Sequence, residues 1–187
     1  MRTILAFTIA ATLTAAAARA ADPYAAVDAM RTAFAQVRSA TAVEHFSSGD
    51  VATVNYNAPN RYRITTEKSE IVVTGDTEYA KRKGGEWVLS PHGAMHQEIL
   101  KSVWQLAGRP GTDLHKLYKI VPLGSKVVDG TAVRGYHLAD TTGGYDETLW
   151  IGANDLPLEA QISMTGQTID IHFADYNRSM LVATPIR

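Results

Sequence analysis

The sequence predicts a mainly β protein with helices (α+β), in which one strongly curved antiparallel sheet of about 11 strands wraps around helical segments. Three observations support this. Segments of strand period fill two blocks, one following an N-terminal helical stretch and one occupying the C-terminal third. The turn signals between neighbouring segments leave gaps too short for a crossover helix, so the strands must meander antiparallel. So many strands exceed what an open sheet carries without curling or closing.

The 187-residue chain opens with Met1-Arg2, continues through the apolar stretch Ile4 to Thr14, and reaches Ala18-Arg19-Ala20, the Ala-x-Ala form of a signal peptidase site. Cleavage after Ala20 makes residues 1–20 a signal peptide and 21–187 a single domain. A membrane anchor is the alternative, but a span needs about 20 apolar residues and this run reaches only about 15. The chain contains no cysteine. It therefore lacks the lipid-modified Cys of a tethered lipoprotein and any disulfide, and the expected product is an exported, soluble periplasmic protein held by core burial alone. A domain of this size buries about 70% of its unfolded surface. Loss of Arg2 and Arg19 takes the formal charge from −1 to −3, with no footprint for nucleic acid.

Asp22 is a good N-cap, Pro23 suits the first helical turn, and Val27, Met30, Phe34 and Val37 predict an amphipathic helix over 23–38. Strands follow at Thr41–Ser48, Val51–Asn57, Arg61–Thr66, Glu70–Thr74, Thr77–Lys81 and Glu86–Leu89. The basic cluster Lys81-Arg82-Lys83 beside Gly84-Gly85 reads as a solvated hairpin turn, with contact to anionic head groups as the alternative. From Met95 the period becomes helical: Ile99, Leu100, Val103, Trp104, Leu106 and Ala107 form an apolar face that stops at Gly108-Arg109-Pro110-Gly111. A further helical turn, capped by Thr112, offers Leu114, Leu117 and Tyr118. The chain then returns to strands at Tyr118–Pro122, Ser125–Val128, Ala132–Asp140, Asp146–Gly152, Leu158–Met164 and Thr168–Tyr176. Asp129-Gly130, Gly143-Gly144 and Thr165-Gly166 supply the turns.

Signals for catalysis are weak. His92 and His96 are four residues apart, but Pro91 and Gly93 disfavour a helix there and no further ligand completes a metal set. His137 and His172 alternate with apolar neighbours, as outward-facing strand residues do. There is no Gly-x-Ser-x-Gly elbow, no Ser-x-x-Lys and no phosphate-cradling loop, so no catalytic residue, metal or cofactor is expected. The apolar inventory is more informative. Tyr79, Trp87, Ile99, Val103, Trp104, Leu106, Trp150, Ile162, Met164, Ile171 and Phe173 are the candidates for lining one concave ligand-binding surface, with the helix at 96–107 able to close it. The plainer reading makes the same residues ordinary core.

The segment Tyr56-Asn57-Ala58-Pro59-Asn60-Arg61-Tyr62-Arg63, followed by Glu70 through Tyr79 and by Gly85-Glu86-Trp87, resembles the LolA/LolB/LppX superfamily of lipoprotein carriers. Leu149-Trp150-Ile151-Gly152, Leu156-Pro157-Leu158-Glu159 and Ile171-His172-Phe173-Ala174-Asp175-Tyr176 are similar to the same group, as is the insertion holding Trp104 to Tyr118. The resemblance implies a half-open antiparallel β-barrel with a helical lid, whose cavity shields acyl chains in transit across the periplasm. An acyl chain of about 15 methylenes at roughly 0.8 kcal/mol each gives roughly 12 kcal/mol of gross burial. Ala58 departs from the pattern, since the lipoprotein carrier has there an arginine that hydrogen-bonds its lid.

The expected function is thus a non-enzymatic periplasmic carrier, monomeric, holding a lipid or acylated ligand and meeting inner- and outer-membrane envelope proteins. One alternative is an accessory interaction protein whose half-barrel is filled by its own side chains. The other is an envelope lipid or sugar hydrolase, which requires paired titratable groups in a cleft.

Overall fold

The structure, a computed structural model, describes residues 22–90, 106–107 and 111–185. The expected leader, the His92–His96 pair and most of the expected lid helix lie outside the described residues. Among them, no helix is long and apolar enough to cross a membrane.

Helix α1 spans Pro23–Ala35, with the Asp22 carboxylate accepting the Tyr24 N–H at 3.0 Å. It buries Ala26, Val27, Met30, Arg31 and Phe34. It stops short of the expected residue 38 because the next backbone groups serve the sheet. The Arg38 N–H donates to Asn177 Oδ1 at 2.7 Å and its carbonyl accepts from the Ala58 N–H at 2.8 Å. Val37 nevertheless stays in the core, 4% exposed.

Eleven strands follow: β1 Ser39–Phe46, β2 Val51–Asn57, β3 Arg61–Thr66, β4 Ser69–Thr74, β5 Thr77–Arg82, β6 Val88–Leu89, β7 Tyr118–Val128, β8 Thr131–Asp140, β9 Tyr145–Ile151, β10 Pro157–Met164 and β11 Gln167–Ala174. They form a single unclosed sheet in the order β6-β5-β4-β3-β2-β1-β11-β10-β9-β8-β7, antiparallel throughout. The two segments expected at Tyr118–Pro122 and Ser125–Val128 are one strand, β7, with an irregularity between Pro122 and Gly124 that the pairing to β8 absorbs. A four-residue helix, α2 (Leu114–Leu117), precedes β7. Its cap is Asp113 rather than Thr112, because the Asp113 carboxylate is the group that accepts the His115 N–H, at 3.0 Å.

Each meander keeps sequence neighbours side by side, and among the described residues the β1–β11 pair is the one ladder that joins the two blocks. Residues opposite one another in an antiparallel ladder share a face. The register Ile71, Ile64, Val54, Ala42, Phe173 therefore marks the face that α1 covers, the inside of the half-barrel. Phe34 of α1 meets Phe173 edge-on there, ring centroids 5.7 Å apart. After β11 the chain crosses the outside. The Ser39 hydroxyl donates to the Arg178 carbonyl at 2.6 Å and the Asn57 amide to the Met180 carbonyl at 2.6 Å, and Val182 is buried.

Candidate ligand-binding face

Two further cross-sheet rows extend the inner face beyond the one through Ala42 and Phe173. One runs Ala52, Glu44, Ile171, Ala160, Leu149, Tyr136, and the next Phe46, Ile169, Ile162, Glu147, Leu138, Ile120. Most of their apolar members belong to one continuous buried cluster with α1, and Phe46 packs against it. The candidates split between the two faces. Leu106, Ile162, Ile171 and Phe173 come together in that cluster. Met164 follows Ile162 on the same face but stands at the rim, 42% exposed.

Tyr79 and Trp150 point the other way. Tyr79 pairs with Val72, one residue out of phase with inward-facing Ile71 and Val73, and Trp150 lies between inward-facing Leu149 and Ile151. Trp87 lies under the Lys81 ammonium, 4.6 Å from the ring centroid, and Lys81 pairs with Glu70 on the outer side of β4. These three residues were expected in the concave lining, and the period-two pleat puts them outside it. Trp150 is packed on that outer side over Gly135, where an added Cβ would lie 2.5 Å from the indole, and Lys126 sits 4.1 Å above its ring. Lys126 also pairs with Glu159, and His172 Nε2 lies 2.9 Å from Asp129 Oδ2. Trp150, Lys126, Glu159 and His172 border, with His45, Thr148 and Asp170, an outer groove of about 370 Å³. Ile99, Val103 and Trp104 lie outside the described residues.

Three glutamates sit among the inward-facing apolar residues: Glu44, 6% exposed, Glu78, 1%, and Glu147, 3%. Glu147 is well served. Its Oε2 accepts the Ala107 N–H at 2.8 Å and its Oε1 the Tyr118 hydroxyl at 3.3 Å, while the Tyr118 and Tyr145 hydroxyls lie 2.5 Å apart. Burial lifts its carboxyl from 4.5 to about 7, against the pull of these hydrogen bonds toward ionisation. On the other side of the same residue, Arg31 Nη1 donates to the Ala107 carbonyl at 3.3 Å. Arg31 Nη2 meets the Thr112 carbonyl at 2.9 Å and Asp28 at 2.5 Å. Ala107, the end of the expected lid, is thus gripped at its N–H from the sheet and at its carbonyl from α1, with a left-handed φ of 57°.

Glu44 is served differently. Its Oε1 is shielded from solvent and, among the described residues, makes no hydrogen bond. Burial alone raises the carboxyl to about 7. Leaving such an atom unsatisfied costs about 1–3 kcal/mol. Sequence reasoning passed over Arg31, Glu44 and Glu147. The available signal was phase: in Ala40-Thr41-Ala42-Val43-Glu44-His45-Phe46 the glutamate shares parity with Ala40, Ala42 and Phe46, and Arg31 stands four residues after Val27 on the buried stripe of α1.

Among the described residues, no group of three or more His, Cys, Asp or Glu side chains could hold a metal ion. No family model and no curated protein sequence matches the chain. Solved structures match it in shape. It is similar to the lipoprotein LppX of Mycobacterium tuberculosis, at 15% identity and TM-score 0.65, over 86% of this chain and 97% of that one. It is also similar to LprF of Mycobacterium bovis, at 15% identity and TM-score 0.59, over 87% of this chain and 96% of that one. The half-open sheet, its order and these two superpositions give the chain the LppX-like fold of the superfamily its motifs resemble.

Proposed function

We propose that the chain is an exported carrier that holds a lipid, the acyl chains of a lipoprotein or another hydrophobic ligand against the inner face of the half-barrel during transport in the bacterial periplasm. The observation that carries this reading is the continuous apolar inner face of an unclosed eleven-stranded sheet. An open barrel can part along its unpaired edges without breaking a ladder, so an acyl chain can replace side-chain contacts inside it. Binding without chemistry needs no catalytic group. The expected leader, the absence of cysteine from the sequence and the LppX-like fold are what support this reading.

The test is native mass spectrometry and lipid analysis of the purified protein, together with saturable displacement of a fluorescent fatty acid. The expected result is a co-purifying lipid and stoichiometric displacement. Neither lipid nor saturable binding in the purified protein would refute the reading.

A second reading has its own support. The free edge strands expose apolar side chains, Val88 at 59% and Leu89 at 54% on β6 and Val127 at 68% on β7. These are the positions at which a partner strand would add to the sheet in an accessory interaction protein. Stable capture of an envelope partner by a protein that binds no lipid would favour it.

A further inference from the structure

We propose that Glu44 is the polar anchor of the lipid site and accepts a hydrogen bond from an N–H or O–H group at the head of the ligand's acyl chain. The inference rests on the carrier reading and deepens it by naming the ligand's chemistry: an amide-linked or hydroxylated acyl compound, in preference to a plain ester.

Position comes first. Glu44 is paired with Ala52 on β2 and Ile171 on β11, and Ile171 leads on to Ala160, Leu149 and Tyr136 across the inner face. It is a single carboxylate in an otherwise apolar row. Bonding comes second. Oε1 is shielded and unpartnered, whereas Glu147 in the adjacent row is met by a backbone N–H and a phenol. Among the described residues the fold thus satisfies the Glu147 carboxyl and leaves the shielded Glu44 Oε1 without a partner, on the face where the carrier reading puts the acyl ligand. Titration agrees with an open acceptor. Burial is the sole cause that raises the Glu44 carboxyl to about 7, with no cation or donor among the described residues pulling it back toward ionisation. Above about pH 7, where the ligand comparison is made, the carboxyl is ionised and only accepts hydrogen bonds, and an amide N–H or a hydroxyl meets that need where an ester oxygen cannot.

The experiment compares isosteric ligands in displacement of dansylundecanoic acid from the purified protein. N-dodecylacetamide and dodecyl acetate differ only in N–H against O, and 1-dodecanol and dodecyl methyl ether differ only in O–H. The expected result is that the amide or the alcohol displaces the probe at least tenfold more tightly than its partner, about the value of one hydrogen bond to a charged group. Whichever pair shows the preference identifies the amide or the hydroxyl as the donor. In Glu44→Leu the preference disappears, and the two members of each pair displace the probe equally. Glu44→Gln, which keeps volume and a carbonyl acceptor, retains part of it and guards against misfolding of the leucine variant. Equal binding within both pairs, or a preference that survives in Glu44→Leu, overturns the inference and leaves the carrier reading intact. A protein that binds neither the probe nor any of the four ligands loses both.

Discussion

Glu147 makes the stability of this protein depend on pH in an unusual direction, and the effect can be worked through. Its carboxyl moves from 4.5 to about 7 on folding, because the inner face withholds water from the charge. The folded state then holds the proton more tightly than the unfolded one. The stabilisation is fully present below about pH 4.5 and is lost as pH rises through about 7. The rise in pKa converts to roughly 3 kcal/mol at about 1.36 kcal/mol per pH unit. Glu147→Gln keeps an acceptor for the Ala107 N–H and removes the titration. Urea denaturation near pH 5 should place the variant within about 1 kcal/mol of wild type. Near pH 8 the variant should be more stable by roughly 3 kcal/mol. Glu44 titrates in the same direction, so the double substitution Glu44→Gln/Glu147→Gln should flatten the profile further. A single variant whose stability falls with pH as steeply as wild type would refute the argument.

Other outcomes follow from the same geometry. Arg31→Ala removes donors to the Ala107 and Thr112 carbonyls and should cost about 2–4 kcal/mol in urea denaturation, whereas Asp28→Ala, whose side chain is 56% exposed, should cost under about 1 kcal/mol. Gly135→Ala drives a methyl into the Trp150 ring and should destabilise by about 1–3 kcal/mol, with a change in tryptophan emission reporting the displaced indole. Trp150→Ala should leave fatty-acid displacement unchanged because the ring lies outside the half-barrel, while Met164→Asp, at the rim of the inner face, should weaken it about tenfold; the opposite ranking would reverse the assignment of faces.

Much of the architecture was legible one residue at a time. The strands Val51–Asn57 and Arg61–Thr66 end where Gly49-Asp50, Ala58-Pro59-Asn60 and Glu67-Lys68 interrupt the period, because turn chemistry is local and acts through the backbone of those residues. The short gaps likewise dictated an antiparallel meander. Where local signals competed, the expectation slipped: Pro122-Leu123-Gly124 looked like a turn, yet strand β7 runs through it, since the ladder to β8 tolerates one irregularity more cheaply than two free strand ends.

The site was less legible because its defining property is a face. Leu149-Trp150-Ile151 and Ile71-Val72-Val73 are apolar on both sides of the pleat, so no count of hydrophobic residues tells Trp150 from Leu149. The β1–β11 pairing and the position of α1 make that choice, turning Leu149 inward and Trp150 out over Gly135. The same choice brings Glu44 among apolar residues and unites Arg31, Ala107 and Glu147, which are separated by 76 and 40 residues along the chain. By itself the sequence determined most of the strand succession and the antiparallel order, which depend on neighbours in the chain. Only the tertiary structure decided which alternate side chains face the interior and which buried carboxyl lacks a partner among the described residues, because those depend on contacts between residues that the chain keeps far apart.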